Sequence, residues 1–354
     1  MRNYELKKHD NATEYSVLNK CECLCEVNVA SDYVFNIDVT KENNPHIAVA
    51  AANKSSVLYN LDNNQISKIW EYNYNNKVIG CKFNNRDRNL VYVATSDGLI
   101  KVLDLRTPKN FIFQFSDTTV ENGDNKLFNC FDLSSNDRLL AAGTDVWEGD
   151  AYILFWDTRN TKLLGAYWES HDDDITQVKF HPDDMNKLIS GSTDGLINVY
   201  DLSKACEDDA LIDTLNTELS VHELLWFNNR NKDCISCISH TSDLQLWDLD
   251  NGAPYVSFSG EQLSKNIGIN DNEDESDAFY LAKCNETSNG LLIVAGKGEC
   301  HRLSKIQNNS VVPFVELHNN KQRIMDSTFN ENSNILITGG EKGLINIWRI
   351  TDQV

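Results

Sequence analysis

One pattern of three short alternating runs returns seven times along the chain, and its clearest copy spans residues 174–202. In that copy a first apolar run ends at a polar turn, a second ends at small residues before Asp194-Gly195, and a third ends at Tyr200-Asp201. Alternating apolar runs separated by tight turns predict antiparallel strands joined as hairpins. A repeat of this length and form predicts one blade of a β-propeller.

The seven copies align on the residue that ends the third run of each repeat. Successive alignment positions lie between 44 and 56 residues apart, and a four-stranded blade needs roughly 40–45 residues. The longer spacings therefore predict loop insertions, which we place at residues 145–150 and 260–277. The alignment positions are Tyr59, Leu103, Trp156, Tyr200, Trp247, Leu303 and Trp348.

Candidate outer strands follow six of the seven inner triplets, so one outer strand is missing after the last triplet. We expect residues 14–29 to supply it and to close the ring, because closure removes the exposed edges of an open array. The sequence thus predicts one all-β domain over residues 1–354. Its inner-strand repeats lie near 34–62, 77–106, 126–159, 174–203, 220–250, 278–307 and 323–351.

These residues resemble the WD-repeat family, whose signature dipeptide is present as Trp156-Asp157 and Trp247-Asp248. The resemblance covers essentially the whole chain, is sharpest over residues 128–203, and implies a seven-bladed WD40-type β-propeller. Family members hold each blade with a hydrogen-bond network of His, Ser or Thr, Asp and Trp. The residues that the resemblance assigns to this network are His171, Ser190, Asp194 and Tyr200 in repeat 4, and His318, Thr338 and Trp348 in repeat 7.

The chain is strongly acidic, with a formal net charge of −21. This balance argues against direct nucleic-acid binding, which needs a basic surface to displace counterions. It favours a basic protein partner. The alternative is that the acidity only keeps the protein soluble.

Acidic residues gather in loops that share one rim of the predicted disk, which we call the upper rim. An aromatic residue inside an acidic surround is typical of a surface that recognises a basic peptide. The alternative is that Trp147 only packs its own loop. The candidate partner-binding residues are Asp145, Trp147, Glu148, Asp150, Asp172, Asp173, Asp174, Glu273, Asp274 and Glu275.

The opposite, lower rim carries two Asp-x-Arg pairs, Asp104 with Arg106 and Asp157 with Arg159. They resemble the box of WD-repeat substrate receptors of cullin-4 ubiquitin ligases, in which the arginine helps to contact the adaptor. The alternative is a local ion pair that finishes the strand without any partner.

No phosphate-binding loop, nucleophile elbow or HExxH pair occurs in the sequence. We expect no catalytic, cofactor-binding or metal-binding residues and favour a non-catalytic interaction scaffold, which is monomeric by itself. A substrate receptor of a cullin-4 ligase is the first alternative. An enzyme or small-molecule binder that uses the central channel is the second.

The N-terminus is polar, and no apolar stretch reaches membrane-spanning length. We therefore expect no membrane binding and a cytoplasmic location, and we leave entry into the nucleus open. The ten cysteines are expected to be reduced thiols. Cys21, Cys23 and Cys25 alternate along a predicted strand and should point to one face.

Overall fold

The computed structural model describes residues 18–351 except 19–20, 30, 43–44, 53, 63–64, 109, 120–124, 270–277 and 289. In this part of the chain, seven four-stranded antiparallel sheets follow one another as the blades of a propeller. The first strand of each sheet packs against the first strand of the next, and the first strand of blade 7 packs against that of blade 1. The ring is therefore closed around a central channel.

Blades 1 to 4 each use four strands in chain order, from the channel outward. Blade 1 contains β2 (Val34–Val39), β3 (His46–Ala51), β4 (Ser55–Asp62) and β5 (Gln65–Asn73). Blade 2 contains β6 (Val78–Phe83), β7 (Leu90–Thr95), β8 (Leu99–Asp104) and β9 (Phe111–Phe115). Blade 3 contains β10 (Phe128–Leu133), β11 (Leu139–Thr144), β12 (Ile153–Asp157) and β13 (Leu163–Tyr167). Blade 4 contains β14 (Ile175–Phe180), β15 (Lys187–Ser192), β16 (Leu196–Asp201) and β17 (Leu211–Asn216).

Blades 5 and 6 repeat this order, and blade 7 combines the two ends of the chain. Blade 5 contains β18 (Val221–Asn229), β19 (Lys232–Ser239), β20 (Leu244–Asp248) and β21 (Val256–Phe258). Blade 6 contains β22 (Tyr280–Thr287), β23 (Gly290–Lys297), β24 (Cys300–Gln307) and β25 (Ser310–Glu316). Blade 7 contains β26 (Ile324–Asn330), β27 (Ile335–Gly340) and β28 (Leu344–Ile350), with β1 (Cys21–Asn28) as its outer strand.

The N-terminal strand closes the ring, as the sequence predicts. β1 pairs antiparallel with β28, from Cys21 opposite Ile350 to Asn28 opposite Leu344. The expectation that the three cysteines of β1 share one face is wrong, because a β-bulge between Cys23 and Cys25 interrupts the alternation. Cys21 packs against the core between blades 6 and 7, Cys25 packs against the core between blades 7 and 1, and Cys23 is exposed.

The apolar core lies between neighbouring blades. Each of the seven blade-to-blade junctions of the described chain holds one cluster of buried side chains. The residues that end the third strands supply the largest members, with Trp156, Trp247, Trp348 and Tyr200 almost fully buried. Because each blade buries both of its faces against neighbours, the ring stabilises every blade from two sides.

In the described chain, two short helices interrupt the strands. α1 (Glu207–Ala210) precedes β17, and α2 (Gly260–Ile267) lies in the insertion ahead of blade 6. The sequence analysis expects a loop there, but Ser259 and Gln262 form a capping box and Gly268 ends the helix in the left-handed conformation. The capping residues are visible in the sequence and would have predicted this helix.

We predict that removing residues 1–29 abolishes the cooperative melt, because β28 would then present an unpaired edge in the closing blade. Removal of residues 1–17 alone leaves β1 intact and serves as the matched control. Thermal unfolding and size-exclusion chromatography of both variants provide the measurement. A chain lacking residues 1–29 that stays monomeric and melts like the full chain would contradict the closure by β1.

Candidate functional site

A buried hydrogen-bond network fixes the upper end of blade 4. His171 lies in the loop between blades 3 and 4, and its Nδ1 is 2.9 Å from Asp194 Oδ2 in the turn between β15 and β16. Its Nε2 is 2.7 Å from Ser190 Oγ, and Ser190 Oγ is 3.3 Å from the Tyr200 hydroxyl. The structure thus brings together the four residues that the family resemblance assigns to repeat 4.

Asp194 anchors the loop that carries the upper-rim acids. Its Oδ2 accepts a hydrogen bond from the Asp172 backbone at 3.1 Å, and its Oδ1 accepts one from the Leu196 backbone at 2.8 Å. Burial by itself would raise the pKa of the Asp194 carboxyl, but the hydrogen bond and charge of His171 hold that pKa below its ordinary value. The network therefore stabilises the ionised form.

We predict that Asp194→Ala lowers the free energy of unfolding by about 1–3 kcal/mol, because it leaves buried donors without acceptors. Asp194→Asn, which keeps one acceptor oxygen, should lose less. Since folding lowers the pKa of Asp194, its contribution is present above the ordinary carboxyl pKa and disappears as the pH falls through the folded value. Urea unfolding between pH 3 and 7 measures both effects, and an unchanged stability of the alanine variant would show that Asp194 is an ordinary turn residue.

Blade 7 departs from the assigned network. Trp348 Nε1 donates to Thr338 Oγ1 at 3.0 Å, but His318 does not join them. The His318 side chain is 62% exposed and lies 3.3 Å from Glu316 at the end of β25. The assignment of His318 is therefore wrong, because the loop after β25 turns this side chain towards solvent.

Gln322 holds the upper turn of blade 7 instead. Its Oε1 accepts hydrogen bonds from the backbones of Lys342 and Leu344, and its Nε2 donates to the Leu344 carbonyl at 2.8 Å. One amide thus provides both the acceptor and the donor that a turn needs. The sequence gives a hint of this, since Lys342 stands where the family has the turn aspartate.

The upper-rim acids of blades 3 and 4 form one surface. The Val146 backbone in the turn of blade 3 donates to Asp174 Oδ1 in the loop before blade 4, at 2.8 Å. Trp147 and Asp150 close the tip of the turn through two backbone hydrogen bonds of 2.8 and 3.1 Å. The surface that we call the acidic rim consists of Asp145, Trp147, Glu148, Asp150, Asp172, Asp173 and Asp174. Glu273, Asp274 and Glu275 lie outside the described residues.

Apolar side chains are exposed within this rim. Trp147 is half-buried, Val146 is 39% exposed and Leu127 is 46% exposed. Leu127 lines a cleft of about 240 Å³ between blades 2 and 3, together with Asp97 and Asp145. The sequence analysis missed Leu127 and Asp97, because the cleft depends on how two blades meet.

The lower-rim boxes are local ion pairs in the structure. Arg159 makes a two-pronged contact with Asp157, and Arg106 makes the same contact with Asp104 through two bonds of 2.8 Å. Each arginine lowers the pKa of its aspartate through these hydrogen bonds. The Arg106 and Arg159 side chains nevertheless stay 58% and 64% exposed, so both remain accessible from the lower face.

A ring of charges, one from each first strand, lines the central channel. Ion pairs join neighbouring blades, including Lys82 with Asp132 at 2.5 Å and Lys283 with Asp326 at 2.6 Å. Lys179 and Lys283 also lie 3.7 and 3.8 Å from Glu223. The signs of these charges alternate from blade to blade around the ring. The sequence analysis did not detect this alternation. In blade order the ring residues are Asp38, Lys82, Asp132, Lys179, Glu223, Lys283 and Asp326.

Seven charges cannot alternate in sign all the way round a closed ring, so one pair of neighbours must have the same sign. The two acids that follow one another in blade order are Asp326 of blade 7 and Asp38 of blade 1, at the junction where the ring closes. Asp326 Oδ2 accepts a hydrogen bond from the Ile37 backbone across this junction at 2.7 Å. Burial raises the pKa of both carboxyls, as expected where opposite charges do not fully compensate.

We predict that Lys82→Met lowers the free energy of unfolding by about 3–5 kcal/mol, because it strands the buried carboxylate of Asp132. Adding Asp132→Asn should recover part of the loss, since the amide oxygen can still accept the hydrogen bond from the Phe180 backbone. Lys68→Met breaks an exposed pair with Glu71, should cost at most about 1 kcal/mol and is the matched control. Equal losses in the two lysine variants, measured by urea unfolding, would contradict a stabilising role of the ring.

A cavity of about 1390 Å³ opens at the lower mouth of the channel. It exists because strands of blades 5 and 6 are longer than those of blade 4, with nine residues in β18 and eight in β22 against six in β14. Many of its lining residues are asparagines at hairpin tips, where Asn231, Asn308 and Asn309 have positive φ angles. Asparagine tolerates that conformation, so turn geometry accounts for these three.

The family model of the nucleolar protein 10-like N-terminal domain, a β-propeller, matches residues 113–303, which is more than half of the chain. The chain belongs to this family. WD repeat-containing protein 89 homolog of Dictyostelium discoideum is 27% identical over 321 residues, covering 89% of this chain and 82% of that protein. This similarity confirms the resemblance seen over residues 128–203.

Other relatives agree with this assignment. An uncharacterized WD repeat-containing protein of Saccharomyces cerevisiae is 30% identical over 288 residues, which cover 77% of this chain and 66% of that protein. A chain in the crystal structure of the mitotic checkpoint complex has the same fold, with a TM-score of 0.71 at 15% identity, and the match covers 99% of this chain and 100% of that one. WD-repeat propellers generally bind protein partners and act as scaffolds.

Neither helix of the described chain is long and apolar enough to cross a membrane. Among the same residues, no three His, Cys, Asp or Glu side chains are placed to hold one metal ion.

Proposed function

We propose that this propeller is a non-catalytic scaffold whose acidic rim binds a basic segment of a protein partner. The hydrogen bond from the Val146 backbone to Asp174 carries the proposal, because it joins the acidic turn of blade 3 and the acidic loop of blade 4. Two separate loops thereby form one surface around Trp147.

The charges of the acidic rim are not compensated within the described part of the chain. None of its six carboxylates forms a salt bridge there, whereas the nearby Lys126 is buried against Asp117 at 2.6 Å and lies over the ring of Tyr152. This cation is thus already engaged. An uncompensated acidic surface raises the encounter rate with a basic partner, and salt weakens this effect.

Trp147 is suited to be the apolar anchor of this surface. It lies in a tight turn closed by backbone hydrogen bonds to Asp150, in which Glu148 and Gly149 have φ angles of 55° and 106°. Val146 and Leu127 extend the apolar area around it. Anchors in a desolvated centre contribute most of the binding energy, while the surrounding charges mainly guide the encounter.

We predict that neutralising the rim slows association with a basic partner found by pull-down, more strongly at low ionic strength. The variant replaces Glu148, Asp150, Asp172, Asp173 and Asp174 by Gln or Asn, which keeps the acceptor for the Val146 backbone. Trp147→Ala should instead speed dissociation, with a loss of about 2 kcal/mol or more. Surface plasmon resonance at several salt concentrations measures both rates.

The matched control removes the same number of exposed acids elsewhere and should bind like the wild type. Its neutralised residues are Glu42, Glu71, Asp250, Glu261 and Glu299. If rim and control variants associate at the same reduced rate, net charge alone explains the effect. If both keep wild-type rates at every salt concentration, the acidic rim is not the binding surface.

The second candidate function is that of a substrate receptor for a cullin-4 ligase. The observation that favours it is the shared hydrogen-bond pattern of the two Asp-x-Arg boxes in adjacent blades, with both arginines accessible on the lower face. In that case the adaptor would contact the lower rim and the acidic rim would hold the client.

For this candidate we predict that Arg159→Ala abolishes co-purification of the ligase adaptor without changing the melting temperature, because the side chain is largely exposed. Arg86→Ala, an exposed arginine between β6 and β7 that is not in such a box, is the control. This function is excluded if both variants recover equal amounts of the adaptor. It is also excluded if the wild type recovers no adaptor under gentle conditions.

A further inference from the structure

The outer edge of the propeller carries a groove where blades 3 and 4 meet. Its volume is about 470 Å³, and one wall is the outermost strand β13 with the two residues that follow it. The other wall is the segment that leads from β16 into α1. The residues that line the groove include Leu164, Ala166, Trp168, Leu202, Cys206 and Asp208.

A single glutamate joins the two walls of this groove. Glu207 of α1 accepts hydrogen bonds from the backbones of Trp168 at 2.7 Å and Glu169 at 3.0 Å, and from the Ser170 hydroxyl. These bonds tie α1 to the end of β13. The Trp168 side chain beside them is 46% exposed.

The groove contains Leu164, the most exposed large apolar side chain of the described residues. Leu164 is 63% exposed and Trp168 is 46% exposed. Trp168 makes no side-chain hydrogen bond within the described chain, whereas Trp70, also near the surface, donates its Nε1 to Pro108. Exposed apolar side chains that line a cavity are typical of a surface that binds a partner.

The edge of the groove can also accept an extended chain. β13 pairs with β12 on one side only, because it is the last strand of its blade. Gly165 in its middle has open space where a side chain would stand. A peptide can add to such an edge and place alternate side chains into pockets.

Charge determines what kind of peptide fits. Glu169, Glu207 and Asp208 line the groove, against Lys204 as its one cation. The same loop continues upward through His171 into the acids of the rim. A chain that follows this path meets negative charge first and apolar side chains next.

We propose that the groove between blades 3 and 4 binds a large apolar side chain that follows the basic segment held by the acidic rim. The partner is thus an extended peptide in which lysines or arginines precede a leucine or an aromatic residue. This inference rests on the proposed function, which places the basic segment on the acidic rim beside the groove.

Cys206 provides a local reporter, because it is an exposed thiol in the groove. In a Cys23→Ser background, which removes the other exposed cysteine, the alkylation rate of Cys206 by iodoacetamide is followed by mass spectrometry. Two synthetic peptides are compared. Both contain four lysines; one continues with Gly-Leu-Thr-Phe and the other with Gly-Ser-Thr-Ser.

The apolar peptide should bind about tenfold more tightly, since burying one large apolar side chain contributes enough free energy for that factor. It alone should slow alkylation of Cys206. Leu164→Ser should remove the tenfold difference without lowering the melting temperature. Ile212→Ser, at an equally exposed position on the outer strand of blade 4, should leave the difference intact.

Different outcomes contradict the groove and the rim. Equal binding of both peptides, with loss of binding when the rim acids are neutralised and no protection of Cys206, overturns the groove and leaves the rim function standing. Failure of both peptides to bind even at low salt overturns the proposed function, and the groove with it. Equal effects of Leu164→Ser and Ile212→Ser also overturn the groove.

Discussion

The pairing of β1 with β28 is the interaction on which the rest of the structure depends. Each blade is stable because apolar clusters cover both of its faces, and that condition holds only while the ring is closed. The first and last described strands share one sheet, so the chain cannot finish blade 7 without its N-terminal segment. The loops of the upper face keep their positions through this closure, because they connect blades that cannot shift separately.

The channel shows a second consequence of closing a ring with an odd number of blades. Charged side chains on neighbouring first strands can pair all the way round only if the number of blades is even. Here the mismatch falls between Asp326 and Asp38, and a backbone hydrogen bond to Asp326 together with raised carboxyl pKa values accommodates it. Ion pairs engage six of the seven ring residues in the described chain, all but Asp38, so few charged groups remain for a ligand in this channel. This favours the rims as binding surfaces.

The fold could be predicted from the sequence because its determinants are local. Alternating runs and turn residues give the strands, and the residues that end the third strands give the repeat. The bulge in β1 could not be predicted, because one extra residue in a strand changes no composition signal. The assignment of His318 is wrong because the family spacing does not show which side chain holds the turn of blade 7. Gln322, a few residues later, accepts the hydrogen bonds from that turn.

The candidate surfaces depended more on tertiary contacts. The sequence placed the acids on one rim, but only the bond between Val146 and Asp174 shows that two loops form one surface. The groove at Trp168 and the cleft at Leu127 depend on how adjacent blades meet. The ring of alternating charges could have been predicted from the sequence, because each of its members lies in the first strand of a repeat. The alternation becomes visible only when the charges of all seven first strands are compared.

Hydrogen–deuterium exchange of the propeller, with and without its basic partner, shows whether the acidic rim is the binding surface. We predict that the bound partner slows exchange in residues 145–152 and 168–174, on the upper face of blades 3 and 4. Unchanged exchange in these two segments, with slower exchange in the hairpin tips around residues 230 and 308 on the lower face, would contradict it.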